Sequence, residues 1–265
     1  MSAISSDRSY FIALGNGSYE PTQHAAGAWR EDELHLAPVA GLIVHQLEQW
    51  RIAHAEPDMV FSRFTFEVLG QIAREQIDIS VDVVRPGRTI ELVEAVATIA
   101  GRVTIRGRAW LLKSSDTLAV EGNEFAAMPP IDECAETSWL KGWNGGFIDS
   151  INAVQPANNR PGRARAWVTS DVSLVAGEDT TVLADFAKLL DTANGIAVRE
   201  DPTEWFYPNV DLSLHFFRTP TSGQVGLDGR VAFGANGIGL TSTVMHDADG
   251  PVGMIQQSLT VRSKG

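Results

Sequence analysis

The chain predicts an α+β fold in which one helix-plus-meander unit occurs twice. Three observations carry this. An amphipathic helical stripe at about residues 34–54 is followed by long strand-like runs. Two of those runs meet at the turn Arg85-Pro86-Gly87-Arg88. A second helical stripe with its own strand meander follows residue 162.

Residues 1–33 are mixed in pattern, with turn residues at Gly15-Asn16-Gly17 and a segment ending Ala28-Trp29-Arg30. From Leu36 onward, Val39, Ala40, Ile43, Leu47 and Trp50 recur at the three/four spacing of a helix. Pro38 suits its first turn, where a missing N–H costs nothing, and Glu56-Pro57-Asp58 ends it. Ile77, Ile79, Val81 and Val83 then alternate with polar residues, the period of a half-buried strand. Further antiparallel strands are expected at 89–100, 102–113 and 118–126, with turns at Gly101 and Ser114-Ser115-Asp116.

Residues 128–161 read as a linker by composition, although Trp139 and Trp143 suggest that the segment packs against something. A strand at about 163–175 opens the second unit. Val182, Phe186, Leu189, Leu190, Ala193 and Ala197 define a helix over 179–197. Strands at about 209–217, 224–233, 236–246 and 252–262 complete the unit. The expected organisation is therefore an N-terminal unit at 1–127, a linker at 128–161 and a C-terminal unit at 162–265. One helix cannot bury both faces of such a meander, so the two sheets should pair edge to edge.

A net charge of −12 argues against nucleic acid as the main partner. It leaves room for a nucleotide-bearing ligand, because a few local arginines can hold phosphates inside an acidic protein. Arg63, Arg74, Arg85, Arg88, Arg102, Arg106 and Arg108 gather in the first half, mostly as a solvated sheet face. No apolar run reaches the ~20 residues of a membrane span, and the first eight residues carry no signal-peptide core. Cys134 stands alone, which excludes an intrachain disulfide and a thiolate metal cage. His45 and His54 lack metal-ligand spacing, and no metal is expected. The expected compartment is the cytosol.

Four stretches together resemble the double hotdog acyl-CoA thioesterases, in which two hotdog units share one chain. They are Gly27-Ala28-Trp29 with His35-Leu36-Ala37-Pro38-Val39-Ala40-Gly41-Leu42; Val84-Arg85-Pro86-Gly87-Arg88-Thr89 with Val93-Glu94-Ala95; Asn209-Val210-Asp211-Leu212-Ser213 with Arg218; and Gln257-Ser258-Leu259-Thr260-Val261-Arg262. The resemblance spans almost the whole chain and rests on the order of the motifs. It implies a tandem hotdog with one long antiparallel sheet and two central helices. It also implies hydrolysis of an acyl thioester, an acyl-CoA, by an activated water, without a cofactor.

The family's water-holding set is an Asp, a Gln and a Thr or Ser, and by position Asp211 and Gln257 match the first two. No Thr or Ser stands at 233–236, where the third would fall; Asn236 is the polar substitute there, and Thr241 and Ser242 lie further on. Within the repeat, Thr65 is the counterpart of Asp211, and Gly107 of Gln257. Gly41 and the amides of the first helical turn suit a thioester carbonyl, and His35 caps that helix or lines a channel mouth. Two other readings stand beside hydrolysis. Asp211 and His215 share strand parity and could act as acid and base in an enoyl-CoA hydratase. The unmatched Thr/Ser is compatible with a non-catalytic acyl-CoA-binding protein. Outer strand edges predict a homo-oligomer, most simply a dimer.

Overall fold

The computed structural model describes residues 8–30, 32–137 and 142–265. Expectations that fall on residues 1–7 and on Trp139 lie outside these. The first unit opens with a hairpin, β1 (Ser9–Gly15) and β2 (Ser18–Pro21), followed by α1 (Leu36–His54). His35 caps α1, its Nδ1 accepting from the Ala37 N–H at 3.1 Å. Every residue from Leu36 to His45 is buried, so the first ten residues of α1 are enclosed on all sides, whereas Gln49 and the last turn at Ile52, Ala53 and His54 are exposed. The meander β3 (Met59–Val68), β4 (Ile77–Arg85), β5 (Ile90–Ile99) and β6 (Arg102–Lys113) wraps around it.

The second unit is assembled from β7 (Ala135–Glu136), β8 (Asn152–Gln155), β9 (Arg163–Thr169) and β10 (Ser173–Val175). Its helical segment and the short β11 (Trp205–Phe206) come next. Then follow β12 (Asp211–Phe216), β13 (Val225–Phe233), β14 (Ile238–Asp247), β15 (Gly250–Thr260) and β16 (Arg262–Ser263).

Among the described residues, fourteen strands form one sheet in the order β10-β1-β2-β4-β5-β6-β3-β12-β15-β14-β13-β9-β8-β7. The units join where β3 runs antiparallel to β12, with Thr65 opposite Ser213 and Glu67 opposite Asp211. Edge-to-edge pairing of the two meanders is thus realised. The sheet also curls around its helices. β9 and β10 follow one another in sequence, yet β10 pairs in parallel with β1 at the far end of the strand order. Tyr10 ties this closure by hydrogen bonds to the hydroxyls of Ser150 and Ser170.

Three expectations change. The second helix is not continuous: α2 (Val182–Ala187) gives way to a 3-10 turn at Leu190–Thr192 and a short α3 (Ala193–Ile196). Residues 118–126 form no strand. Leu118 and Val120 are 75% and 82% exposed, so the segment has no apolar face buried against a partner. Residues 128–161 are more than a linker. They supply β7 and β8 to the sheet edge, and Phe147, Ile148 and Ile151 are buried in the core.

The helices meet at Gly41 of α1. A Cβ there would come 2.6 Å from Lys188 Cβ and 2.7 Å from Lys188 Cα, at the end of α2. The glycine thus permits the close crossing of the two helices. No described helix is long and apolar enough to cross a membrane.

Candidate active site

The inner face of the C-terminal sheet carries polar side chains where a core face should be apolar. Thr241, Thr243 and Gln257 are all fully buried, and Thr241 on β14 stands directly opposite Gln257 on β15. The break in the second helix sets Asp191 and Asn194 against this face. Gln257 Nε2 donates to Asp191 Oδ1 at 2.8 Å, and Asn209 Nδ2 donates to the same oxygen at 2.9 Å. Thr241 Oγ1 donates to Asn194 Oδ1 at 3.5 Å, and Asn194 Nδ2 donates to the Tyr207 carbonyl at 3.1 Å. Gln257 Oε1 is buried and, among the described residues, has no hydrogen-bond partner.

Burial dominates the electrostatics of Asp191. Desolvation raises its pKa to about 7, against the opposing pull of the hydrogen bonds from Asn209 and Gln257. His35 Nδ1 lies 3.6 Å from Asp191 Oδ2, but burial lowers the pKa of His35 to about 3. The imidazole is therefore neutral near pH 7, and the pair is not an ion pair. Because Nδ1 accepts from the Ala37 N–H, the ring proton belongs on Nε2. With Oδ1 taken by two amides, Oδ2 is the carboxylate oxygen free to meet a water or substrate.

Asp191, Thr192, Asn194, Asn209 and His35 line a pocket of about 430 Å³. Its apolar wall comes from Trp29, Trp143, Phe206, Val68, Ile72 and Ile148. Trp29 and Trp143 meet edge to face, with centroids 4.8 Å apart. Lys264 Nζ sits 4.4 Å from the Phe206 ring centroid, and Arg262 lies over the same ring at 5.3 Å. A pocket of this size, mostly apolar with a few convergent polar groups, is the ordinary form of a small-molecule site.

Of the residues singled out from sequence, His35 lines this pocket, and Gln257 reaches it through Asp191. Asp211 does not. Ser213 pairs with Gln256, so Asp211 falls opposite Ser258 and faces away from Gln257 across the sheet. Its Oδ1 accepts from the Ser258 N–H at 2.6 Å, a bond that secures the strand end. The shared water expected between Asp211 and Gln257 is thus precluded by strand parity. His215 is exposed on that same outer face. Four residues of strand put it about 13 Å along the chain from Asp211, too far for an acid–base pair on one substrate atom. Asn236 is exposed in the turn between β13 and β14, and Gly41 serves the helix crossing; neither lines the pocket.

Sequence reasoning missed Asp191, Asn194 and Asn209. A signal was present in the run Leu189-Leu190-Asp191-Thr192-Ala193-Asn194, where an acid and an amide interrupt a stripe expected to be core.

Comparison with known proteins matches the same two units. Residues 25–112 match the acyl-CoA thioesterase N-terminal domain, and residues 130–261 match the acyl-CoA thioesterase C-terminal domain. No curated protein matches the chain. Among solved structures, a hot dog fold protein of unknown function from Alicyclobacillus acidocaldarius is similar with a TM-score of 0.72 at 11% identity, over 100% of this chain and 99% of that one. The acyl-CoA thioesterase II TesB2 from Mycobacterium marinum gives 0.63 at 14% identity, covering 96% of each chain. The tesB protein of Mycobacterium avium subspecies paratuberculosis gives 0.64 at 14% identity, over 95% of this chain and 96% of that one. At these identities the likeness establishes the fold, and the domain matches establish the family: this chain belongs to the acyl-CoA thioesterases built from two hotdog domains.

Proposed function

We propose that the protein hydrolyses acyl thioesters, of the acyl-CoA class, with Asp191 as the general base. The observation that carries this reading is a buried carboxylate on the pocket wall whose pKa is raised to about 7, with one oxygen held by two amides and the other free. A base of that pKa is half ionised near neutral pH and accepts a proton efficiently there.

In this reading Asp191 Oδ2 takes a proton from water as the water oxygen attacks the thioester carbonyl carbon. Gln257 and Asn209 hold Oδ1 and so fix the carboxylate plane. The Nε2–H of His35 is the donor we assign to the developing oxyanion. Collapse of the tetrahedral intermediate breaks the C–S bond, and the proton held on Asp191 goes to the departing thiolate. The products are a carboxylic acid and a thiol. Thr241 and Asn194 brace the site through their own hydrogen bond. This hydroxyl stands in register with Gln257, so the family's Thr/Ser role has a candidate at Thr241 rather than at Asn236.

Thiol release from acyl-CoA thioesters of graded length tests the reading. Hydrolysis is expected, with kcat/KM rising through about pH 7 as Asp191 ionises. A flat absence of thiol release across the series would leave a binding protein. Activity that does not change between pH 5 and 9 would remove Asp191 as the base.

A further inference from the structure

On the back of the C-terminal sheet, away from the helices, one histidine is closed off completely. Along β14, Thr241, Thr243 and Met245 point inward, so His246 points outward. It is nevertheless fully buried, and neither ring nitrogen has a hydrogen-bond partner among the described residues. The chain between the two units passes over this face. Residues 114–134 leave the end of β6 as a strap and reach β7 at the far edge of the sheet. Among the described residues, one hydrogen bond joins residues 115–134 to the rest of the protein, from Trp167 Nε1 to the Pro129 carbonyl at 2.9 Å. The apolar anchors are Phe125, stacked on Phe217 with centroids 5.9 Å apart, and the buried Met128.

His246 lies in line between these anchors. The Phe217 N–H donates to the Val252 carbonyl on β15. His246 pairs with Pro251 on β15 and with Gly226 on β13, and Gly226 pairs with Trp167 on β9. The Trp167 ring leans over Gly226, where a Cβ would come 2.6 Å from Trp167 Cζ3. The strap is thus fixed at both ends of a row whose centre is His246. Its residues 125–131, Phe-Ala-Ala-Met-Pro-Pro-Ile, bring no charged side chain to that row.

We propose that His246 is a proton-operated latch for this strap: the neutral imidazole fits beneath residues 125–130, and the imidazolium lifts them. A charged ring with two N–H donors is costly to bury without acceptors. Burial dominates its titration and lowers the pKa to about 4. Asp228 on β13 and Asp247, the next residue of β14, favour the charged ring, while Arg165 on β9 and Arg218 after β12 oppose it. Both acids are already engaged: Arg165 holds Asp228 at 2.9 Å, and Arg218 holds Asp247 through two nitrogens. With the strap lifted, the ring returns toward the ordinary value of ~6.5. The closed state has the lower pKa, so closure is fully favoured above about pH 6.5 and weakens as pH falls to about 4. Over that window the open-to-closed ratio rises by about 10²-fold. The strap leads on into the segment that supplies Trp143 and Ile148 to the pocket at Asp191, which puts the latch next in line to one wall of the site.

The test is the indole N–H signal of Trp167, followed by proton–nitrogen NMR from about pH 7.5 to 4 and assigned with Trp167→Phe. In the wild type the signal is expected to move from its hydrogen-bonded position to that of a free indole, with a midpoint between about pH 4 and 6.5, while the rest of the spectrum stays folded. His246→Leu is expected to keep the bonded position throughout. Phe125→Ala, which removes one anchor, is expected to move the wild-type midpoint to higher pH. A wild-type signal that holds the bonded position until the whole chain unfolds would overturn the proposal, as would an unchanged transition in His246→Leu. Should the leucine variant not fold, Phe125→Ala decides: a midpoint it leaves in place would also overturn the latch.

Discussion

The two units share a plan and differ in what lines it. On the inner face of the N-terminal sheet, Val93, Ala95, Ala97 and Ile99 face the helix from β5, and Ile105, Gly107, Ala109 and Leu111 from β6. No polar side chain interrupts that set. On the C-terminal sheet, Thr241, Thr243 and Gln257 occupy such inner positions. The helices differ in parallel. α1 runs unbroken for 19 residues, whereas its counterpart breaks after Ala187 and lowers Asp191 and Asn194 toward those polar groups. The N-terminal unit keeps these inner sheet positions apolar, with its buried His45 and Glu48 on the helix instead, and the C-terminal unit sets Gln257 of its sheet against the buried carboxylate of Asp191. Burying such groups costs stability unless they are paired, and Gln257 Oε1 and Thr243 Oγ1 are buried without a partner among the described residues.

The largest expected effect is at Asp191. Asp191→Asn keeps the shape and removes the base, and should lower kcat by about 10² to 10⁴-fold in a thiol-release assay. The same variant should gain stability. The unfolded carboxyl titrates near 3.9 and the folded one at about 7. Between about pH 4 and 7 the native state retains a proton that the unfolded chain releases, so stability falls as pH rises through that window. Asparagine removes this loss. Its Tm should exceed that of wild type by several degrees at about pH 8, with the difference gone near pH 3. His35 acts in the opposite sense, adding stability as pH rises from about 3 to its unfolded value. It is common to both proteins and cancels in the difference. A lower Tm for Asp191→Asn at about pH 8 would mean that the carboxylate is held by more than these two amides.

Gln257→Leu should come next. It deletes the amide that holds Asp191 Oδ1 and removes the buried, unpartnered Oε1 at the same time. A drop in kcat of about tenfold to a hundredfold is expected, with a further rise in the pH at which activity reaches half its plateau. An unshifted pH profile would separate Gln257 from the carboxylate. The smallest effect belongs to Asp211→Ala. Losing the bond to the Ser258 N–H should cost about 1 kcal/mol of stability and leave kcat/KM near wild type. Asp191 and Asp211 thus make a matched pair of variants, the first expected to trade activity for stability and the second to lose stability alone. If Asp211→Ala abolished hydrolysis with the fold intact, the site would have to be sought on the outer face.

Much of this architecture could be read from residue periodicity. The alternation of Ile77, Ile79, Val81 and Val83 marks β4, and the turn at Gly101 delimits β6. The stripe from Leu36 to Trp50 marks α1, whose caps follow from His35 and the turn at residue 57. What stayed hidden depends on three-dimensional register. Leu190 and Ala193 continue an apolar stripe straight through the break in the second helix, so the 3-10 turn leaves no gap in the pattern. Pro129, Pro130, Gly145 and Gly146 give residues 128–161 a linker's composition, although Phe147 and Ile151 are core. The parity of Gln257 against its neighbours was legible, but its phase relative to Asp211 is fixed only by the pairing of Ser213 with Gln256. Position along the chain therefore points to Asp211 for the role proposed above for Asp191.

The pairing of β1 with β10 bears on how the chain comes to be folded. Ser9 meets its partner Ser173 only after more than half of the polypeptide has been made. The opening strand must therefore wait through synthesis with one edge unpaired, and the loop that finally closes is long and entropically costly. The N-terminal sheet ends on a strand borrowed from the other half, and its opposite edge pairs with β12 of that half. The two repeats should consequently melt in a single cooperative transition, and a break in the chain near residue 127 should yield fragments that fold together or not at all.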